Sequence, residues 1–167
     1  MAVIKKVAYI GGTGDRQVSQ GKFSGYKRAM REYNIDIQNE YLSEGYYIIG
    51  TGWRATRSFM MLPNPPTAIV CASDTIAVGC IKYLSQNGFS IPQDVAVVGY
   101  DNIPLSYIIE PPLTTVTIPI DAMAREAMAM TIGAINSGTA RKRQVVLNTT
   151  LCIRRTTVKD SAFKIEL

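Results

Sequence analysis

Apolar residues in this chain gather into short unbroken runs separated by stretches with helical spacing. Val7-Ala-Tyr-Ile10 is one such run, closed by Gly11-Gly12, and it predicts a buried strand. Phe23, Tyr26, Ala29 and Met30 then recur at three- and four-residue intervals up to Tyr33, as on one face of a helix. A short strand is expected at Glu40 to Ser43, and a helix from Trp53 to Leu62, stopped by Pro63-Asn-Pro-Pro66. Ala68 to Ala72 is a second apolar run. Asp74 can cap the following helix, which passes through Ala77, Ile81 and Leu84 and stops at Asn87-Gly88. Val95 to Val98 is a third buried strand, closed by Gly99.

Buried strands alternating with amphipathic helices make right-handed βαβ units. The expected class is α/β, with a parallel sheet flanked by helices. Ligands on such sheets collect at the carboxyl ends of the strands. Those ends are Gly11 to Asp15, Ala72-Ser-Asp74 and Gly99-Tyr-Asp-Asn102, each carrying polar groups directly after an apolar run. Beyond Asn102 the pattern changes. Glu110 to Thr117 reads as extended, because Pro111 and Pro112 disfavour helix. Ile120 to Ile135 is helical, with Asp121 in its first turn and Ser137-Gly138 at its end. Gln144 to Ile153 alternates weakly and predicts a late strand.

With 167 residues, 47% apolar and 19% charged, the chain reads as one ordinary globular domain. No run is long and apolar enough to span a bilayer, and the N-terminus shows no signal-peptide pattern. Cys71, Cys80 and Cys152 form no Cys-x-x-Cys pair and there is no histidine, so no metal site is expected and a reduced, cytoplasmic compartment fits. Lacking histidine also removes the commonest general base and every Ser-His or Cys-His nucleophile pair, which argues against an enzyme. The net charge of +5 is scattered over Lys5, Lys6, Arg141, Lys142, Arg143, Arg154 and Arg155, unlike a nucleic-acid track on one face. Gly11, Gly12 and Gly14 do not make a dinucleotide fingerprint, and no cofactor is expected.

Three stretches carry a more specific signal: Pro66-Thr-Ala-Ile-Val-Cys-Ala-Ser-Asp-Thr-Ile-Ala-Val-Gly79, Ile91-Pro-Gln-Asp-Val-Ala-Val-Val-Gly-Tyr-Asp-Asn102 and Pro111-Pro-Leu-Thr-Thr-Val116. In order and spacing they resemble the effector domains of LacI/GalR-family transcription regulators. Lys6 to Gly12, Phe23-Ser-Gly-Tyr26 and Cys152 to Thr157 agree, so the resemblance covers roughly Lys5 to Val158. It implies a periplasmic-binding-protein-like fold of type I, whose two subdomains close on a small ligand about a hinge. Residues 1–118 would be mostly the C-terminal, effector-binding subdomain, with the N-terminal helix-turn-helix absent. Residues 119–140 would be a helix belonging to the other subdomain, 141–158 a strand returning to the first, and 159–167 a tail.

The same resemblance nominates ligand-binding residues. Asp101 follows a buried strand, and a carboxylate accepts two hydroxyl hydrogen bonds, as a sugar diol requires. Ser73 stands where the family has a ligand-facing Asn or Ser, with Asp74 beside it, and Asn102 follows Asp101. Lys22 replaces the family's usual Arg, and a point charge replaces a planar fork. Tyr47 aligns with an aromatic that stacks on the ligand in some relatives, while Tyr46 departs from the usual Asp or Asn.

The expected function is a ligand-sensing domain for a sugar or similar small polar effector. Closure of its jaws would control DNA binding by the N-terminal segment, so this chain alone should not recognise an operator. The alternative is a free-standing sugar-binding protein of the transport type, opposed by the Val98-Gly-Tyr-Asp-Asn102 run. An enzyme on a doubly wound sheet is a third possibility, without a paired catalytic constellation to support it. The apolar face of the 120–135 helix (Ile120, Met123, Ala127, Met128 and Ile135) would need a cover, either its own sheet or a second copy, and a homodimer is expected.

Overall fold

The computed structural model describes residues 6–13, 16–139 and 142–158. Expectations placed on Lys5, Gly14, Asp15, Arg141 and the tail 159–167 lie outside the described residues. The chain runs β1 (Val7–Gly12), α1 (Arg16–Glu32), a single 3-10 turn (Asn39–Tyr41), β2 (Leu42–Gly45), α2 (Ile49–Met60), β3 (Ala68–Cys71) and α3 (Asp74–Gln86). It continues through β4 (Ala96–Asp101), α4 (Leu105–Ile108), β5 (Thr114–Thr117), α5 (Ile120–Ser137) and β6 (Thr150–Cys152). One six-stranded sheet has the order β2-β1-β3-β4-β5-β6. Every pairing is parallel except β5 with β6, where Val116 faces Leu151.

Alternation along the strands fills both faces. Ala8, Ile10, Ile69, Cys71 and Val97 point to one side and pack with Phe59, Ile76, Cys80 and Leu84 of α2 and α3. Tyr9 and Ala72 point to the other and pack with Tyr26 and Met30 of α1. Two glycines let α2 and α3 touch. A Cβ on Gly52 would stand 1.9 Å from the Ile76 carbonyl oxygen, and one on Gly79 would stand 2.0 Å from that of Ile49. Because the parallel strands share a direction, Gly12, Cys71, Asp101 and Thr117 end at one edge of the sheet.

Several boundaries differ from the expected ones. Helix α2 begins at Ile49, before Trp53, because its first turn carries Gly50, Thr51 and Gly52, whose small side chains give no apolar periodicity. The late strand is only Thr150–Cys152, an edge strand with little apolar alternation to sustain it. Short helix α4 was not expected at all. Helix α5 runs to Ser137 and ends on Gly138 at φ +63°. It does not fold back on the sheet. None of its described residues is buried, with Ile120 66%, Met128 59% and Ile135 73% exposed.

Candidate functional site

The carboxyl edge of the sheet gathers two nominated residues, Tyr47 and Asp101, around the ammonium of a third, Lys22. Lys22, from the second turn of α1, donates from Nζ to the Ala72 carbonyl at 2.8 Å, just past the end of β3. Its ammonium lies 4.0 Å from the centroid of the Tyr100 ring and 5.8 Å from that of Tyr47. Asp101 ends β4 with Oδ1 3.9 Å from Lys22 Nζ. That separation is an ion pair but not a hydrogen bond. Among the described residues no closer polar partner of the Asp101 carboxylate is found, and its side chain is 33% exposed against 16% for Lys22.

Burial dominates the electrostatics of this pair. It pushes the Lys22 ammonium below the usual lysine range, against the opposing pull of Asp101 and Asp74. It pushes the Asp101 carboxyl above the usual carboxylate range, with Lys22 opposing and Asp74 reinforcing. The two groups attract, yet each loses more from desolvation than it gains from the other. A ligand with hydroxyls can bridge such a pair, accepting from Lys22 and donating to Asp101 in place of water.

The backbone at Asp101 is unusual. Its φ is +112° and that of Asn102 is +57°, both in the region that L-residues rarely adopt. Strain of this kind persists only where surrounding contacts enforce it, and it clusters at ligand sites. The enforcing contacts are visible. Asp74, fully buried, accepts from the Thr115 hydroxyl at 2.5 Å and from the Ile103 backbone N–H at 2.9 Å. Asn102 Oδ1 accepts from Arg154 at 2.7 Å and from the Ser106 hydroxyl at 3.1 Å. Arg154, itself buried, also donates to Ser106 Oγ at 3.1 Å and to the Leu113 carbonyl at 2.8 Å.

Ser73, Asp74 and Asn102 therefore hold a different place from Lys22, Tyr47 and Asp101. Ser73 is buried and caps α3, its hydroxyl accepting from the Ile76 N–H at 3.3 Å. Asp74 does not cap its helix; the cap sits one residue earlier, which frees this carboxylate to reach across to β5 and the turn after β4. Asn102 spends its oxygen on Arg154. Asp74 and Asn102 support the strained turn that presents Asp101, while Ser73 starts the helix that carries Asp74. Gly99 makes room for Asp74, since a Cβ there would stand 2.2 Å from Oδ1.

Sequence reasoning missed Tyr100, Ser19 and Arg154. Tyr100 sits beside Asp101 and would point away from it on a regular strand. Ser19, one turn before Lys22, places its hydroxyl 3.2 Å from that of Tyr47 and so steadies the ring. Arg154 is adjacent to Arg155, which is half-exposed and pairs with Glu110 at 2.8 Å, and no local pattern tells the two apart.

Known proteins place this arrangement in context. A family model described as a periplasmic binding protein-like domain matches residues 4–157. The repressor PurR of Vibrio vulnificus is 34% identical over 154 residues, covering 92% of this chain and 46% of that protein. The ribose operon repressor of Haemophilus influenzae is 32% identical, covering 90% of this chain and 45% of its own length. Among solved structures, a LacI-type transcriptional regulator from Bacillus cereus superposes with a TM-score of 0.86 at 30% identity, over 93% of this chain and 55% of the other. The complex of the regulator CelR with cellobiose gives 0.84 at 28% identity, over 92% and 47%. The chain thus spans about half the length of the curated relatives it matches.

Proposed function

Because this chain belongs to the periplasmic-binding-protein-like domain family, in the form found in LacI-family repressors, we propose that it is the effector-sensing part of a transcription regulator. The effector is a sugar or similar small polyol. Lys22 and Asp101 supply the hydrogen-bonding pair, and Tyr47 and Tyr100 supply apolar ring faces. One observation carries this reading: a partly desolvated Lys22–Asp101 pair, too far apart to satisfy itself, held on a strained turn at the strand ends. Asp74 and Asn102 act as supports of that turn, and Ser73 caps the helix that positions Asp74.

In the full-length protein, closure on the effector would shift the spacing of DNA-binding segments lying outside this chain, in a dimer. Helix α5 would then be covered by the other subdomain, as expected for residues 119–140, and in the isolated chain by a second copy. A regulator of this kind works in the cytoplasm and catalyses nothing. The relatives favour it over a free-standing transport protein, since they are repressors. A thermal-shift screen of sugars and sugar derivatives tests the proposal. A ligand at 100 times its dissociation constant adds about 2.7 kcal/mol of apparent stability. Failure of every polyol in the screen, with the protein folded, would contradict it.

A further inference from the structure

Beyond the Tyr47 ring, on the α1 side of the sheet, lies a cleft of about 400 Å³ that the effector reading does not use. Gly11 and Gly12 of β1, Ser19 and Phe23 of α1, and Leu42 and Glu44 of β2 line it together with Tyr9. Its volume suits a small ring compound. Gly11 is not required there by the backbone, since its φ lies outside the left-handed region and β1 runs straight through it. What the missing side chain does is leave the space open: a Cβ at Gly11 would stand 3.2 Å from Tyr9 Cε1 and 3.8 Å from Glu44 Cβ.

Two features of the walls define an occupant. First, the inner wall is aromatic. Tyr9 stacks on Tyr26 at 5.0 Å between centroids and tilts against Phe23 at 5.3 Å, so a flat ring entering the cleft would meet an aromatic wall of Tyr9 and Phe23. Second, Tyr9 is 4% exposed, and its hydroxyl is buried without a hydrogen-bond partner among the described residues. Buried donors are almost always paired, and an unmet one calls for an explanation. Burial pushes this hydroxyl up to about 12, so at neutral pH it is a donor. Tyr26, its stacking neighbour, donates to the Val7 carbonyl at 2.9 Å, so the omission is specific to Tyr9.

The geometry points to a second small-molecule site in this cleft, for a flat ring compound bearing a carbonyl or ring-nitrogen acceptor, with Tyr9 as the donor. Ser19 and Tyr47 form the partition between it and the Lys22–Asp101 cluster, since Ser19 lines the cleft while bonding the Tyr47 hydroxyl. Because the Tyr9 hydroxyl is buried, binding through it would require the wall of the cleft to shift. The site does not depend on the effector reading.

Benzamide, a flat ring with one carbonyl acceptor, is the probe. Titrated at millimolar concentration into the 15N-labelled chain, it should shift the Gly11 and Gly12 amides saturably. Gly11→Val, which places a branched side chain in the cleft, should weaken binding roughly tenfold or more. Tyr9→Phe should weaken it severalfold while raising the thermal midpoint, because an unmet buried hydroxyl is gone. A merely structural tyrosine would give the higher midpoint with unchanged benzamide affinity, which would overturn the donor role. Asp101→Ala should leave benzamide binding intact, which separates this site from the effector site. Shifts that do not saturate, that map elsewhere, or that survive in folded Gly11→Val unchanged would overturn the proposal.

Discussion

Replacing Asp74 by Ala strikes the support of the strained turn without touching the proposed ligand pair. The carboxylate is fully buried and satisfies the Thr115 hydroxyl and the Ile103 N–H, and its ionised form is further favoured by the Asn102 backbone and by Arg154. Removing it leaves those buried donors unmet, at about 1–3 kcal/mol each, and leaves Arg154 with one fewer compensating charge. Water entering the vacated space recovers part of this, so the expected loss is about 3–5 kcal/mol. Urea denaturation at neutral pH measures it, with the slope unchanged. Asp74→Asn should cost less, because the amide oxygen can accept from Ile103 while the amide nitrogen donates to Thr115. The pH dependence has a definite sign. Burial raises the Asp74 carboxyl above its ordinary 3.8, so its contribution is fully present below that value and is lost as pH rises through the folded one. The gap between wild type and Asp74→Asn should therefore narrow from acid toward neutral pH. A loss of less than about 1 kcal/mol in Asp74→Ala would refute the assignment of this residue as the keystone of the turn.

At the crossing of α2 and α3, Gly79→Ala should destabilise by about 3 kcal/mol or more in the same assay, because its methyl would collide with the Ile49 carbonyl 2.0 Å away. Alkaline stability should fall between pH 10 and 12. Tyr9 and Tyr26 are each raised from 10.0 to about 12 in the fold, so their share is intact below 10 and lost above it; urea midpoints at the two ends of that range, flattened in a Tyr9→Phe, Tyr26→Phe double variant, check this. The bare face of α5 should drive pairing of the isolated chain at micromolar concentration, reversed by Met128→Lys; sedimentation showing a monomer at all concentrations would count against the dimer.

What could be read in advance follows the physics of each signal. The apolar runs at Val7 and Ala68 mark central strands because side chains on both faces of those strands are packed, and the run at Val95 marks a strand whose Val95 and Val97 face is buried. Helix α4 was not legible, and strand β6 was legible only as part of the longer strand expected over Gln144 to Ile153. Four residues in one case and three in the other are too few to show a period, and β6 takes its partner from β5 rather than from its own pattern. At the site, Asp101, Lys22 and Tyr47 were nominated through resemblance, and the fold brings them to one edge. Ser73, Asp74 and Asn102 are near in sequence but turned inward. Position after a strand places a residue at the edge; only the contacts with Thr115 and Arg154, 41 and 52 residues away, decide which way it faces. Arg154 illustrates the limit. A cation inside a fold is held by groups distant in the chain, and nothing local predicts its burial.

Calorimetric titration of the best polyol from the thermal-shift screen into wild type, Asp101→Ala and Asp74→Asn tests the central claim most directly. Asp101→Ala should lose a charge-assisted pair of hydrogen bonds, about 2–4 kcal/mol or at least thirtyfold in affinity, with its own fold stability unchanged within about 1 kcal/mol. Asp74→Asn should lose stability and retain most of the affinity. Equal affinity in wild type and Asp101→Ala would place the effector elsewhere and contradict the account.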